Sequence, residues 1–334
     1  MATLQFQTPS NENNSIVVPI RAFLLQTLCV AERPFRRKIV AEIYRLSLLT
    51  ASLVLILVVA SPAQIQWSEP VQLTDSIGFQ DPRAAIMGNS IHVVGGVYPI
   101  EFFYVRSTDG GVTWSYPITP APADTFDGCY QPDIICSNGK VHLAFLAKPF
   151  GQLRAQAYHI SSSDNGQTWS PPHQVFRRRD TFGFMKYPRI AANGDTLFTS
   201  CRVADGVNSY LLSFRSFNAG VTWRDSTVAD PASWGMDNAQ KMLYSGGVVH
   251  IVYRMGILDS TGYEIFYRRS ADLGMTWSER DMISEFDIYH GQGPSAAADI
   301  AGNLMAAWFD YKYGSMCGFT GDILTRNSTD NGET

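Results

Sequence analysis

The sequence predicts an all-β protein, a β-propeller, on three observations. A short pattern, S-x-D-x-G-x-T-W, stands at residues 107–114 and recurs at residues 163–169, 217–223 and 271–277, with Asn for Asp at 218. Its Asp (or Asn) positions, 109, 164, 218, 272 and 330, are separated by 55, 54, 54 and 58 residues. Between the copies run alternating apolar stretches with no convincing helical period after residue 63. A fixed repeat of this length fits one four-stranded sheet per unit, the blade of a propeller.

The pattern reads as a hairpin tip. Asp109, Asp164, Asn218, Asp272 and Asp330 supply side-chain acceptors for nearby backbone N–H groups, and the Gly two positions on supplies a positive φ. Trp114, Trp169, Trp223 and Trp277 then enter the next strand, where a large ring can anchor one unit on its neighbour. The fifth copy opens at Ser328 and meets the end of the sequence at Thr334, before its Trp. On this reading the chain carries about five blades and is expected to be incomplete at its C-terminus, a fragment of the ring.

The chain opens differently. Arg36, Arg37 and Lys38 precede an uncharged run at residues 46–60, followed by Ser61-Pro62-Ala63. A basic segment, a short apolar stretch and small residues make a secretory signal peptide over 36–63, with cleavage expected after Ala63. The run is shorter than the ~20 residues of a membrane span. Residues 1–63 are read as a leader, of which 1–39 fit a start codon placed too far upstream; residues 64–334 are the propeller. The mature chain would carry 20 basic and 27 acidic residues, with no membrane span. It is expected to be secreted or periplasmic.

The mature part opens on Trp67-Ser68-Glu69-Pro70, which copies the segment after each hairpin tip and predicts an outermost strand closing the last blade. Four of the units then start at a proline, Asp81-Pro82, Gln131-Pro132, Tyr187-Pro188 and Gly293-Pro294, and the other opens at Asn238-Ala239-Gln240-Lys241. His92, His142 and His250 share one slot in the second strand of three units, so a scaffold role is favoured over a metal site. No basic stripe points to nucleic acid. The five cysteines make neither a disulfide framework nor a zinc spacing, and no metal or cofactor motif is visible.

The repeated motif resembles the Asp-box (BNR) repeat of the sialidase (neuraminidase) superfamily, over nearly all of residues 66–334. The resemblance implies a six-bladed ring with the boxes on the face away from the active site. It also implies arginines that clamp a substrate carboxylate, a tyrosine nucleophile and a carboxylic general acid. On this chain the similar positions are Arg83, Arg189 and Arg254 for substrate binding, Glu101 for the acid and Asp237 for the base. Pro82-Arg83-Ala84 replaces the family's R-I-P, the acid is Glu for Asp, and the base is Asp for Glu. The nucleophilic Tyr would lie in the sixth blade, beyond Thr334. The implied activity is an exo-glycosidase releasing terminal sialic or related acidic sugars. The alternative is a non-catalytic propeller that binds glycan or a protein partner.

Overall fold

Eighteen strands follow one another without a helix among the described residues. The computed structural model describes residues 68–74, 80–97, 101–121, 124–176, 184–204, 208–224, 226–231, 236–257, 262–312 and 321–334. The strands form five antiparallel sheets, each meandering outward in chain order. The first holds β1 (Gln80–Met87), β2 (Ser90–Val97) and β3 (Glu101–Ser107). The second holds β4 (Phe126–Ser137), β5 (Lys140–Pro149), β6 (Gln156–Ser162) and β7 (His173–Phe176). The third holds β8 (Phe184–Asn193), β9 (Thr196–Ala204), β10 (Ser209–Ser216) and β11 (Thr227–Asp230). The fourth holds β12 (Met236–Ser245), β13 (Val248–Gly256), β14 (Tyr263–Ser270) and β15 (Asp281–Met282). The fifth holds β16 (Gly291–Ala298), β17 (Leu304–Asp310) and β18 (Asp322–Ser328).

The inner strands pack in sequence, β1 on β4, β4 on β8, β8 on β12 and β12 on β16. This is a five-bladed propeller array. No comparable packing joins β16 back to β1 among the described residues. Two of the five blades differ from the expected four strands. In the first, only an isolated bridge between Tyr104 and Ile118 stands for the outer strand; the fifth has three strands. Residues 68–74 carry no strand, and Trp67 lies outside the described residues, as do the leader and its signal segment.

The core lies in the seams between blades. Val94, Phe102 and Tyr104 of the first blade meet Phe126, Leu143 and Phe145 of the second. Leu146 and Ala157 meet Met185, Cys201 and Val203 in the next seam. Phe198 and Leu211 meet Met242, Ile251 and Tyr253 in the third, and Val252 and Ile265 meet Ala306 and Trp308 in the fourth. The second, third and fourth sheets are apolar on both faces because each of their faces is a seam. The described cysteines Cys129, Cys136 and Cys201 are free thiols.

The boxes staple these seams. In the first, Ser107 Oγ donates to Asp109 Oδ1 at 2.7 Å, and Asp109 accepts from the Thr113 N–H at 2.9 Å and the Thr113 hydroxyl at 2.6 Å. The same bonds form around Asp164, Asp272 and Asp330. Asn218 keeps the Ser216 and Thr222 N–H donors but reverses the last bond, its own Nδ2 donating to Thr222 Oγ1 at 2.9 Å. The two residues after the acceptor take left-handed φ, for example 61° at Asn165 and 80° at Gly166.

From the second blade on, each box sits on the blade before it. A Cβ on Gly166 would stand 1.8 Å from the Tyr104 hydroxyl oxygen, one on Gly220 2.1 Å from the His159 ring, and one on Gly332 1.8 Å from the Tyr267 oxygen. Glycine is therefore required there by contact as well as by φ. The half-buried Trp169 ring meets Tyr104 edge-on at 5.1 Å, and Trp223 meets His159 at 5.6 Å. Beneath them lie the repeated histidines. His92 Nδ1 is hydrogen-bonded to the Tyr104 hydroxyl at 2.7 Å, His250 Nδ1 to the Tyr267 hydroxyl at 2.7 Å, and His142 Nδ1 to His159 Nε2 at 3.1 Å.

Candidate functional site

The opposite ends of the strands are built by a second repeated device. Near its start each inner strand carries a β-bulge. In the first blade Gln80 pairs with Gly96 and Arg83 with Val94, so three steps on β1 answer two on β2. The shift recurs at Tyr130/Asp133, Lys186/Arg189 and Gln292/Ser295, and in a longer form at Met236/Gln240. In four blades a proline occupies the bulge: Pro82, Pro132, Pro188 and Pro294. A bulge leaves one N–H out of the ladder, so a residue without one loses nothing there. The residue before each proline is left-handed, with φ 49° at Asp81, 55° at Gln131, 53° at Tyr187 and 56° at Gly293. A bulge of this kind bends the strand and re-aims its side chains.

The first three bulges open onto one cleft of about 380 Å³, lined by Asp81, Arg83, Glu101, Tyr130, Gln131, Lys186, Tyr187 and Arg189 among others. Three sequence-predicted site residues, Arg83, Glu101 and Arg189, therefore meet. Three cationic residues, two carboxylates and two tyrosines thus line one cleft. Burial pushes the Tyr130 hydroxyl pKa up.

The two arginines differ. Arg83 keeps about a third of its side chain exposed and pairs with the buried Asp133 at 3.8 Å. Arg189 is 4% exposed. Its Nε donates to the Gln240 carbonyl at 2.9 Å and its Nη1 to the Pro188 carbonyl at 3.0 Å. Burial lowers its pKa, with Asp133 opposing the shift. Asp133 Oδ2 in turn accepts the Ile190 N–H at 3.0 Å, and Gln240 Nε2 donates to the Tyr187 carbonyl at 2.6 Å. The residue that closes the bulge thus ties blade to blade: Asp133 to the third, Arg189 to the fourth, Gln240 back to the third.

Arg254 lies apart. On β13 it stacks over the Tyr263 ring at 4.2 Å, and Tyr263 meets His290 at 5.4 Å; it does not line the cleft. Asp237 lies on β12, and its side chain is outside the described residues. Glu101 and Glu264 hold equivalent positions at the start of the third strand of their blades with different surroundings. Glu101 is exposed in the cleft. Glu264 is buried, accepting from Ser284 Oγ at 2.5 Å and the Asp287 N–H at 3.2 Å; burial raises its carboxyl pKa against those donors. Sequence reasoning passed over Gln131 and the bulge itself. The signal for both is the residue-plus-proline pair that opens four inner strands. Among the described residues, no group of three or more His, Cys, Asp or Glu is arranged to hold a metal ion.

A repeat-built propeller with stapled hairpins at one end and a charged cleft at the other defines a class, and family comparison places the chain within it. Residues 127–298 match the BNR repeat-like domain, and the chain belongs to that family. It is a BNR-repeat propeller. No curated protein matches it. Among solved structures it is similar to a Hadza microbial sialidase, with TM-score 0.54 and 17% identity over 76% of this chain. The chain spans 56% of that sialidase's length. It is also similar to an endo-arabinase from Bacteroides thetaiotaomicron, with TM-score 0.50 and 14% identity over 76% of this chain and 95% of the other. At these identities the likeness is one of fold.

Proposed function

We propose that this chain is an exported glycosidase-like propeller that recognises a terminal acidic sugar, sialic acid or a relative, in the cleft of the first three blades. One observation carries the reading: Arg83, partly exposed, and Glu101 line the same cleft with Lys186 and two tyrosines. A guanidinium and an ammonium suit a sugar carboxylate, a carboxylic acid can protonate a leaving oxygen, and aromatic rings suit sugar faces. Hydrolysis of a fluorogenic sialoside tests it. Arg83→Ala and Glu101→Gln should each lower kcat/KM by about 10²-fold or more. Turnover unchanged in both variants, or absent in the parent protein, removes the enzyme reading.

A second reading, glycan binding without cleavage, draws support from Arg189, whose guanidinium is engaged by backbone carbonyls and so is less free to clamp a substrate. Glycan binding retained by a protein without turnover would select it. Two further proposals complete the reading. The five blades belong to a six-bladed ring, in keeping with inner strands that do not close on themselves among the described residues. The protein is exported through the signal segment at 36–63, which N-terminal sequencing of the extracellular product tests: a start at Gln64 is expected.

A further inference from the structure

We propose that Tyr187 is the specificity-determining residue of the cleft, an aromatic platform on which a bound sugar ring stacks; this rests on the glycan reading above. The observation is a conformation that the residue should avoid. A bulky side chain is a genuine outlier at φ 53°. The proline next in the chain should also push its neighbour toward extended backbone.

The surroundings hold it there from three sides. Its N–H donates to Gln131 Oε1 at 2.9 Å, from the second blade. Its carbonyl accepts from Gln240 Nε2 at 2.6 Å, from the fourth. The Pro188 carbonyl beyond it is held by Arg189. Strain kept in place by so many partners marks a residue whose side chain is needed where it points. It lines the cleft, half-buried, with the Arg189 guanidinium over one face of its ring at 5.8 Å, which leaves the other face for a sugar.

The fifth blade supplies the control. The same bulge there has Gly293 at φ 56°, ahead of Pro294. The scaffold asks for a left-handed residue at this slot, which glycine meets without strain. It does not ask for a tyrosine. What requires the ring in the third blade is then the cleft. A phenol ring packs against the apolar face of a sugar, while Arg83 and Lys186 in the same wall suit its acidic group.

Two substitutions separate the platform from the alternatives. Tyr187→Gly removes ring and strain together; Tyr187→Phe removes only the hydroxyl. Binding is read on an array of acidic and neutral glycans, then by calorimetry with the best acidic hit, and stability by urea unfolding. The platform predicts that Tyr187→Gly loses about tenfold or more in affinity, with no fall in the unfolding midpoint, while Tyr187→Phe stays within about threefold of the parent. A glycine variant that binds as the parent does, or whose midpoint falls together with its affinity, overturns the proposal, because the ring then serves packing. Equal losses in the phenylalanine and glycine variants also overturn it, because the hydroxyl then carries recognition. A parent protein that binds nothing on the array overturns the glycan reading itself, a result distinct from each of these.

Discussion

Opposite ends of the same strands treat the repeat in opposite ways. Glu101 opens β3 at the cleft and Ser107 closes it at the box. At the box end both backbone and side chains repeat: Asp109, Asp164, Asp272 and Asp330 take the same donors, and Asn218 keeps two of them. At the cleft end the backbone repeats, and with it the proline of four bulges, while most other side chains and their partners do not. The bulge and its left-handed residue recur, while the side chain changes from Asp81 to Gln131 to Tyr187 to Gly293. A repeated bond set is a part used many times. A repeated backbone with changing side chains is a mount for parts used once, and binding is built from those.

The sharpest way to break the comparison is at a box glycine. Gly166→Ala would set a methyl 1.8 Å from the Tyr104 oxygen at φ 80°. Overpacking and left-handed strain together should cost roughly 2–4 kcal/mol. Gly139, in the Asn138-Gly139 hairpin between β4 and β5, has φ 71° and no neighbour within 4 Å of an added Cβ. Gly139→Ala should cost only the strain, about 1 kcal/mol. Urea unfolding of the two variants measures the difference, and equal losses would remove the box-on-blade lock.

The buried histidines offer the next test. Burial lowers the pKa of His92, and takes His142 to about 4, His159 to about 3 and His250 to about 4. Lys140 adds to the shift at His142 and Arg106 at His92, while Asn165 and Asn331 oppose it at His92 and His250. These groups are neutral when folded and take up protons more readily when unfolded, near pH 6.5. Their stabilising effect is whole above pH 6.5 and falls as pH drops toward 4, by up to about 1.4 kcal/mol per pH unit for each site. The third blade has Phe198 and Ser213 in these slots. The double variant His250→Phe, Tyr267→Ser copies it and should flatten the unfolding midpoint between pH 6.5 and 4; an unchanged slope would place the acid sensitivity elsewhere.

Much of this was legible in the residues, and the limits have physical causes. The box is local: acceptor, donors and glycine lie within eight residues, so its chemistry can be read along the chain. Arg83 and Glu101, eighteen residues apart, could be placed together because β1 and β3 both begin at the cleft. Arg189 shares the slot of Arg83 yet is drawn into the seam, because the fourth blade offers it the Gln240 carbonyl. Glu264 shares the slot of Glu101 yet is buried, because Ser284 and Asp287 cross over it. Equal positions in the repeat have different neighbours, and neighbours from another blade are not visible in a linear pattern. The bulge escaped for a related reason: proline at a strand start signals an edge or a kink, but the left-handed residue before it runs against local preference and is held there by contacts from adjacent blades.

The smallest effect concerns the charge within a box. The Asp109 carboxyl is held down to about 2 by the Thr113 hydroxyl, the Thr113 N–H and the Ser107 hydroxyl. Its folded pKa lies below the unfolded value, so its contribution is present above about pH 3.9 and is lost as pH falls through 2. Asn218 fills the same turn with no charge, its amide reversing the bond to threonine. Asp109→Asn should therefore leave the unfolding midpoint at pH 7 almost unmoved, while removing part of the fall between pH 4 and 2. The cleft end behaves otherwise if its side chains are used once: Glu101→Asn should leave the unfolding midpoint at pH 7 alone and change what the cleft does. An Asp109→Asn protein that melts early at pH 7 would mean the boxes depend on charge, and that Asn218 is tolerated only by its own seam.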